Sequence, residues 1–352
     1  MVVSKHLEGR ETDMNMLHKQ KTNEIEEDEI KLEAKRLYRL LSPTGKTMED
    51  CLLYAPLTIR INTLKKQKNA VILAHNYQRS EIIFGVGDFN GDSLALAKQA
   101  ANTNADIIVF CGVHFMAETA KILNPEKTVL LPDLGAGCSL AESISAEDVL
   151  RLRKQHPNVP VITYVNTSAA VKAVSDVVCT SANALKIVNS FPDKKIIFLP
   201  DEFMAKNLAA QTDKEIINWN GKCVVHEQFT PDQVKHYRQF NPDGKVLAHT
   251  ECSPEVIAEV DMAGGTSDMS RYINSSSAKK FMIVTECGMG DMLQVQNPDK
   301  IFTTTCTVCP HMKTIHLENI LTALEQEQYE ITVDIDTAKK AKVALDRMLE
   351  LS

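Results

Sequence analysis

The chain has 352 residues, 44% of them hydrophobic and 24% charged, with a formal net charge of −7. These values describe a globular protein with room for two or three domains, and they lend no support to a nucleic-acid-binding surface. No apolar run approaches the ~18 residues of a membrane span, and no signal-like apolar core opens the chain. Nine cysteines, an odd number, are then expected to be reduced thiols in a cytoplasmic setting, suited to ligation rather than to disulfides.

In chain order, residues 1–30 carry a Glu/Asp-rich run and read as a mobile or helical extension. A first α/β domain is expected over 31–150. It opens with a helix from the spacing of Leu32, Leu37, Leu40 and Leu41, broken at Ser42-Pro43-Thr44-Gly45. A second helix precedes the first strand. Ala70–Ala74, Asp106–Cys111 and Thr128–Leu131 are apolar runs typical of strands buried on both faces of a parallel sheet. Ser93–Ala101 and Phe115–Leu123 have helical spacing.

A second domain over 151–239 offers strands at Val159–Val165, Val177–Thr180 and Ile196–Pro200. A third over 240–330 offers Lys245–His249, a strand near Met262, and Phe281–Thr285. Residues 331–352 read as a C-terminal helix, Thr337–Leu351, packing on the body. The alternation predicts three similar α/β/α sandwich domains related by pseudo-threefold symmetry, with the active site at their junction.

The three units share more than hydrophobic patterning. Cys138, Cys223 and Cys309 recur every 85 or 86 residues, and Ser93, Ser181 and Thr266 every 85 or 88. Each first strand ends in a polar pair spaced by two: His75/Tyr77, Tyr164/Asn166 and His249/Glu251. In extended backbone that spacing aims both side chains to one side. Ligands of parallel sheets bind outside the carboxyl ends of the strands, where these pairs stand. Ser93, Ser181 and Thr266 precede helical stretches and read singly as N-caps, each contributing about 1 kcal/mol. Recurring together, they point to a shared anion site at helix N-termini.

Three thiols on one axis make a metal or cluster site with one open position. Cys51, Cys111, Cys179, Cys252 and Cys287 lack matched partners and read as core residues. Cys306-x-x-Cys309 leaves a second arrangement open, a tetrahedral zinc site on Cys138, Cys223, Cys306 and Cys309.

Several segments, in order, resemble the quinolinate synthase family. They are Ala74-His75-Asn76-Tyr77-Gln78-Arg79, Gly91-Asp92-Ser93-Leu94, Phe115 to Leu123, Ala136-Gly137-Cys138, Tyr164 to Lys172, Gly221 to His226, and Cys309-Pro310. The resemblance runs from about residue 35 to 325. It departs at Ser80, where proline is common in the family, in a slightly expanded loop before Ser93, and in the N-terminal extension, which is not characteristic of the family. It implies condensation of iminoaspartate with dihydroxyacetone phosphate to quinolinate, with loss of phosphate and two waters. It also implies a 4Fe–4S cluster on Cys138, Cys223 and Cys309; the two substrates and the iminoaspartate-producing enzyme are the expected partners.

Within that reading Tyr77, Glu251 and His249 are the expected catalytic residues, Tyr77 and Glu251 as the acid/base groups. His75, Ser93, Tyr164, Asn166, Ser181, His249, Glu251 and Thr266 are expected to bind substrate. His75 and His249 are expected to donate as charged groups near neutral pH. A cluster enzyme resembling diphthamide synthase and a structural zinc or iron–sulfur protein are the alternatives. Repeated polar pairs fit a pocket for small anions better than either.

Overall fold

The computed structural model describes residues 25–352. Most of the acidic extension lies outside these residues, but Glu27 onward already belongs to a helix, Glu27–Leu41. Ala34, Leu37 and Leu41 are buried on its inner side, whereas Leu32 is exposed. The Ser42–Thr44 turn and Gly45, at φ +84°, end it. A reciprocal cap between Thr47 and Asp50 opens the next helix, Met48–Gln67.

Three four-stranded sheets follow. The first holds β1 (Ala70–His75), β2 (Phe89–Gly91), β3 (Ile107–Cys111) and β4 (Thr128–Leu130). The second holds β5 (Val161–Tyr164), β6 (Val177–Cys179), β7 (Lys195–Leu199) and β8 (Glu215–Asn218). The third holds β9 (Lys245–His249), β10 (Met262–Gly264), β11 (Lys280–Val284) and β12 (Ile301–Thr304). Their orders are β2-β1-β3-β4, β6-β5-β7-β8 and β10-β9-β11-β12. Every pairing between these strands is parallel.

The central strands are apolar because helices cover both faces. Ile72, Leu73, Ile162, Val246 and Leu247 have no exposed surface. Burying one such side chain stabilises the fold by roughly 1.5–3 kcal/mol. β2, β8 and β12 were not anticipated. They are edge strands with partly exposed residues, so no continuous apolar run marks them.

A buried-strand device recurs in all three units. Asp88 accepts from the backbone N–H of Ile72 at 2.8 Å, Asp176 from Val161 at 2.7 Å, and Asp261 from Val246 at 2.9 Å. Each carboxylate also pairs with a base: Lys65, Arg153 and Arg238. The aspartate thereby fixes the start of each leading strand at the end opposite the site.

The final helix runs from Ile335 to Leu351 and buries Ala341, Ala344, Leu345 and Met348. It lies against β6 and the helix Ala169–Ala173. Ser352 Oγ accepts from Asn183 Nδ2 at 2.7 Å, tying the chain end to the turn after β6.

Candidate active site

β1, β5 and β9 end at His75, Tyr164 and His249, which pair in register with Gly91, Cys179 and Gly264. Two residues beyond those partners stand Ser93, Ser181 and Thr266. The same register therefore sets a strand-end polar side chain beside a hydroxyl in all three sheets. All twelve residues singled out in the sequence line a single cavity: His75, Tyr77, Ser93, Cys138, Tyr164, Asn166, Ser181, Cys223, His249, Glu251, Thr266 and Cys309.

The three hydroxyls are not the helix caps. Asp92 caps the helix Ser93–Asn102 through the N–H of Ala95 at 2.9 Å. Asn183 and Gly265 occupy the N-cap positions of Ala184–Ser190 and Thr266–Ser275. The caps are thus separate residues, and Ser93, Ser181 and Thr266 are left to face the cavity. Thr266 Oγ1 accepts from Asn76 Nδ2 at 2.9 Å, a contact between the third unit and the first. Gly265 lies so close to Ser181 that a Cβ there would meet its Oγ at 2.7 Å.

His75 and His249 are held alike. The N–H of Tyr77 donates to His75 Nδ1 at 3.2 Å, and that of Glu251 to His249 Nδ1 at 3.3 Å. The ring proton of each is therefore on Nε2. Burial pushes both pKa values down to about 4 despite nearby carboxylates. This corrects the expectation of charged donors: at neutral pH both rings are neutral Nε2–H donors.

Glu251 is the electrostatic centre. Burial alone would raise its pKa, but His249 and His226, with hydrogen bonds from His226 and Tyr164, hold it below the usual carboxylate range. Tyr164 Oη donates to Glu251 Oε1 at 2.6 Å, and His226 Nδ1 lies 2.8 Å from Oε2. Burial, with the Glu251 charge adding to it, pushes the Tyr77 and Tyr164 phenols well above 10. Asn166 Oδ1 is buried with no hydrogen-bond partner among the described residues.

The thiols share a local design. Backbone N–H groups two and three residues on donate to each sulfur: Leu140 and Ala141 to Cys138, Val225 and His226 to Cys223, His311 and Met312 to Cys309. These donors favour thiolate, against a burial that pushes Cys138 up to about 12 and raises Cys223 and Cys309 too. Three inward thiols, each with two amide donors, fit a thiolate-ligated metal centre. Cys306 is exposed, at φ +54°, and is not among the cavity-lining residues.

Two functional candidates were missed. His226 lines the cavity and stacks on His249, with ring centroids 4.7 Å apart. Thr285, just past β11, bonds both Tyr77 and His226. The place of His226 at the end of the Gly221 to His226 segment, three residues after Cys223, could have flagged it.

A parallel α/β scaffold that turns buried acid–base groups and three thiols into one cavity defines an enzyme built around a thiol-lined chamber. A family model described as quinolinate synthetase A protein (NadA) matches residues 59–350, and the chain belongs to that family. It is 56% identical to quinolinate synthase 1 of Mesorhizobium japonicum, over 82% of this chain and 89% of that protein. It is 54% identical to the quinolinate synthases of Xylella fastidiosa and Agrobacterium fabrum, over 82% of this chain and 85% and 84% of theirs. No helix among the described residues is long and apolar enough to cross a membrane.

Proposed function

We propose that this quinolinate synthase condenses iminoaspartate with dihydroxyacetone phosphate in the cavity between its three sheets, releasing phosphate and two waters. Cys138, Cys223 and Cys309 hold a 4Fe–4S cluster with one iron free of protein ligands. The observation that carries this reading is the threefold thiol design, with two amide donors to each sulfur, in the same cavity as Tyr77 and Glu251. When bound, such a cluster supplies a Lewis-acidic iron open to a substrate oxygen. The repeated strand order and register support three domains, 31–150, 151–239 and 240–330, about a pseudo-threefold axis.

The chain's own residues do the rest. Ser93, Ser181 and Thr266 bind carboxylate and phosphate oxygens as neutral donors, with Asn166 turned to the same substrates. His75 and His249 add Nε2–H donors that carry no charge of their own before substrate arrives. Glu251 stays ionised and accepts protons. Tyr164, committed to Glu251, orients that carboxylate beside the substrate. Tyr77 gives and takes protons during condensation and dehydration. The reaction is cytoplasmic, where thiols stay reduced, and an iminoaspartate-producing enzyme supplies one substrate.

Anaerobic protein supplied with both substrates should form quinolinate and phosphate in equal amounts. No quinolinate from cluster-loaded protein, with either substrate order, would contradict the reading.

A further inference from the structure

Glu251 stands in a tight turn. β9 ends at His249, and the N–H of Cys252 returns to the His249 carbonyl at 3.0 Å, with Thr250 and Glu251 between them. The carbonyls on either side of Glu251 are taken by one side chain. Asn207 Nδ2 donates to Thr250 O at 2.9 Å and to Cys252 O at 2.8 Å. A carboxamide NH2 has two protons, and both are used here. Asn207 is buried, belongs to the second unit and does not line the cavity. One amide of the second unit thus grips the backbone of the third around its acid/base residue.

The base from which Asn207 projects is itself fixed. It lies on the helix Glu202–Ala209, which follows β7 and buries Met204, Ala205 and Leu208. Asp201, with no exposed surface, caps that helix through the N–H of Met204 at 2.8 Å. The N–H of Glu202 donates to Gly221 O at 2.9 Å, in the segment that leads to Cys223.

Holding a strand-end loop from a neighbouring unit recurs around the molecule. Glu118, on the helix His114–Leu123 that follows β3, accepts from the N–H of Ala169 at 2.9 Å, just past Asn166. Lys313 of the third unit donates to the backbone carbonyl of Tyr77 in the first. At Asn207 the hold straddles a carboxylate whose bonded partners, Tyr164 at 2.6 Å and His226 at 2.8 Å, also come from the second unit. Those partners exchange protons with Glu251. The carboxamide carries no titratable group, so its grip is the same whether Glu251 is ionised or protonated.

We propose that Asn207 is a positioning residue, whose carboxamide fixes the 250–252 turn to the second unit and so holds the Glu251 carboxylate where it reaches substrate. This rests on the acid–base role proposed for Glu251. Without the two bonds the turn shifts, and misplacing a reacting group by about 1 Å costs up to about a hundredfold in rate.

The test compares Asn207→Leu, nearly isosteric but without donors, with the parent in cluster-loaded enzyme of verified iron content. Asn207→Leu should lower kcat about tenfold or more with KM within about threefold. Added to Glu251→Gln, the same substitution should slow turnover by less than about threefold, because the group it positions is already lost. If Asn207→Leu does not fold, Asn207→Ala takes its place with the same expectations.

A kcat within about threefold of the parent would overturn the proposal, as would a loss confined to KM. An equal loss in the parental and Glu251→Gln backgrounds would also overturn it, since a merely structural contact slows both alike. If Glu251→Gln itself turned over at the parental rate, the acid–base reading of Glu251 would fail first, and this inference with it.

Discussion

Tyr164 Oη donates to Glu251 Oε1 at 2.6 Å, joining the end of the second unit's leading strand to the end of the third's. The bond takes the phenol's only proton and helps hold the carboxylate ionised. Tyr164 therefore serves Glu251 before it serves substrate. Tyr164→Phe should lower kcat roughly tenfold or more, whereas Glu251→Gln and Tyr77→Phe should each lower it by at least about a hundredfold with iron content unchanged. Steady-state kinetics on anaerobic protein checks this. Parental rates in both Tyr77→Phe and Glu251→Gln would move proton transfer to His75 or His249.

Stability should depend on acid through His75 and His249. Their folded pKa values are about 4, against 6.5 for an unperturbed histidine. The unfolded chain takes up protons near 6.5 while the folded protein resists until about 4. The contribution is therefore complete above 6.5 and is lost as pH falls from 6.5 to 4, by about 1.4 kcal/mol per pH unit for each ring. Thermal melts at pH 7, 6 and 5 should show a falling Tm, with a shallower fall in His249→Gln, which cannot charge. An equal slope in the two proteins would show that His249 is not the group being charged.

Gly288 offers a packing test of the wall behind Tyr77. A Cβ there would meet Glu286 Oε2 and Tyr77 O at 2.8 Å and Lys313 Nζ at 2.7 Å. Glu286 Oε2 already accepts from the N–H of Gly288, and Lys313 donates to the Tyr77 backbone carbonyl. These atoms are tied to one another, so the added methyl must push the Tyr77 loop. Gly288→Ala is expected to destabilise the fold by about 1–3 kcal/mol and to reduce kcat more than Gly290→Ala. Gly290 faces only the Thr304 side chain. An unchanged Tm and parental kcat in Gly288→Ala would mean that the wall yields.

The leading strands could be read in the sequence because helices bury both their faces, leaving uninterrupted runs such as Ala70–Ala74. The edge strands β8 and β12 could not, since partial exposure admits residues such as Glu215 and Thr303. The twelve cavity residues were legible through recurrence: the fold repeats, and so do the positions that face inward. Recurrence also marks where that reading stops. The residue after the third strand of each sheet is Gly112, Pro200 or Thr285, and the residue three past each cysteine is Ala141, His226 or Met312. Thr285 and His226 have no counterparts of like chemistry, so no periodic signal selects them. The charge state of His75 and His249 was misjudged for another reason, because the depth of burial belongs to the assembled units and not to any one segment.

Iron and acid-labile sulfide analysis of anaerobically prepared protein, with zinc measured on the same samples, tests the central claim most directly. The parent should hold about four irons and four sulfides, the content of a 4Fe–4S centre. Cys223→Ala should hold none, while Cys306→Ala should match the parent, because Cys306 is exposed outside the cavity that Cys138, Cys223 and Cys309 line. A preparation containing zinc alone, a cluster that survives Cys223→Ala, or loss of iron in Cys306→Ala would contradict the three-thiol site.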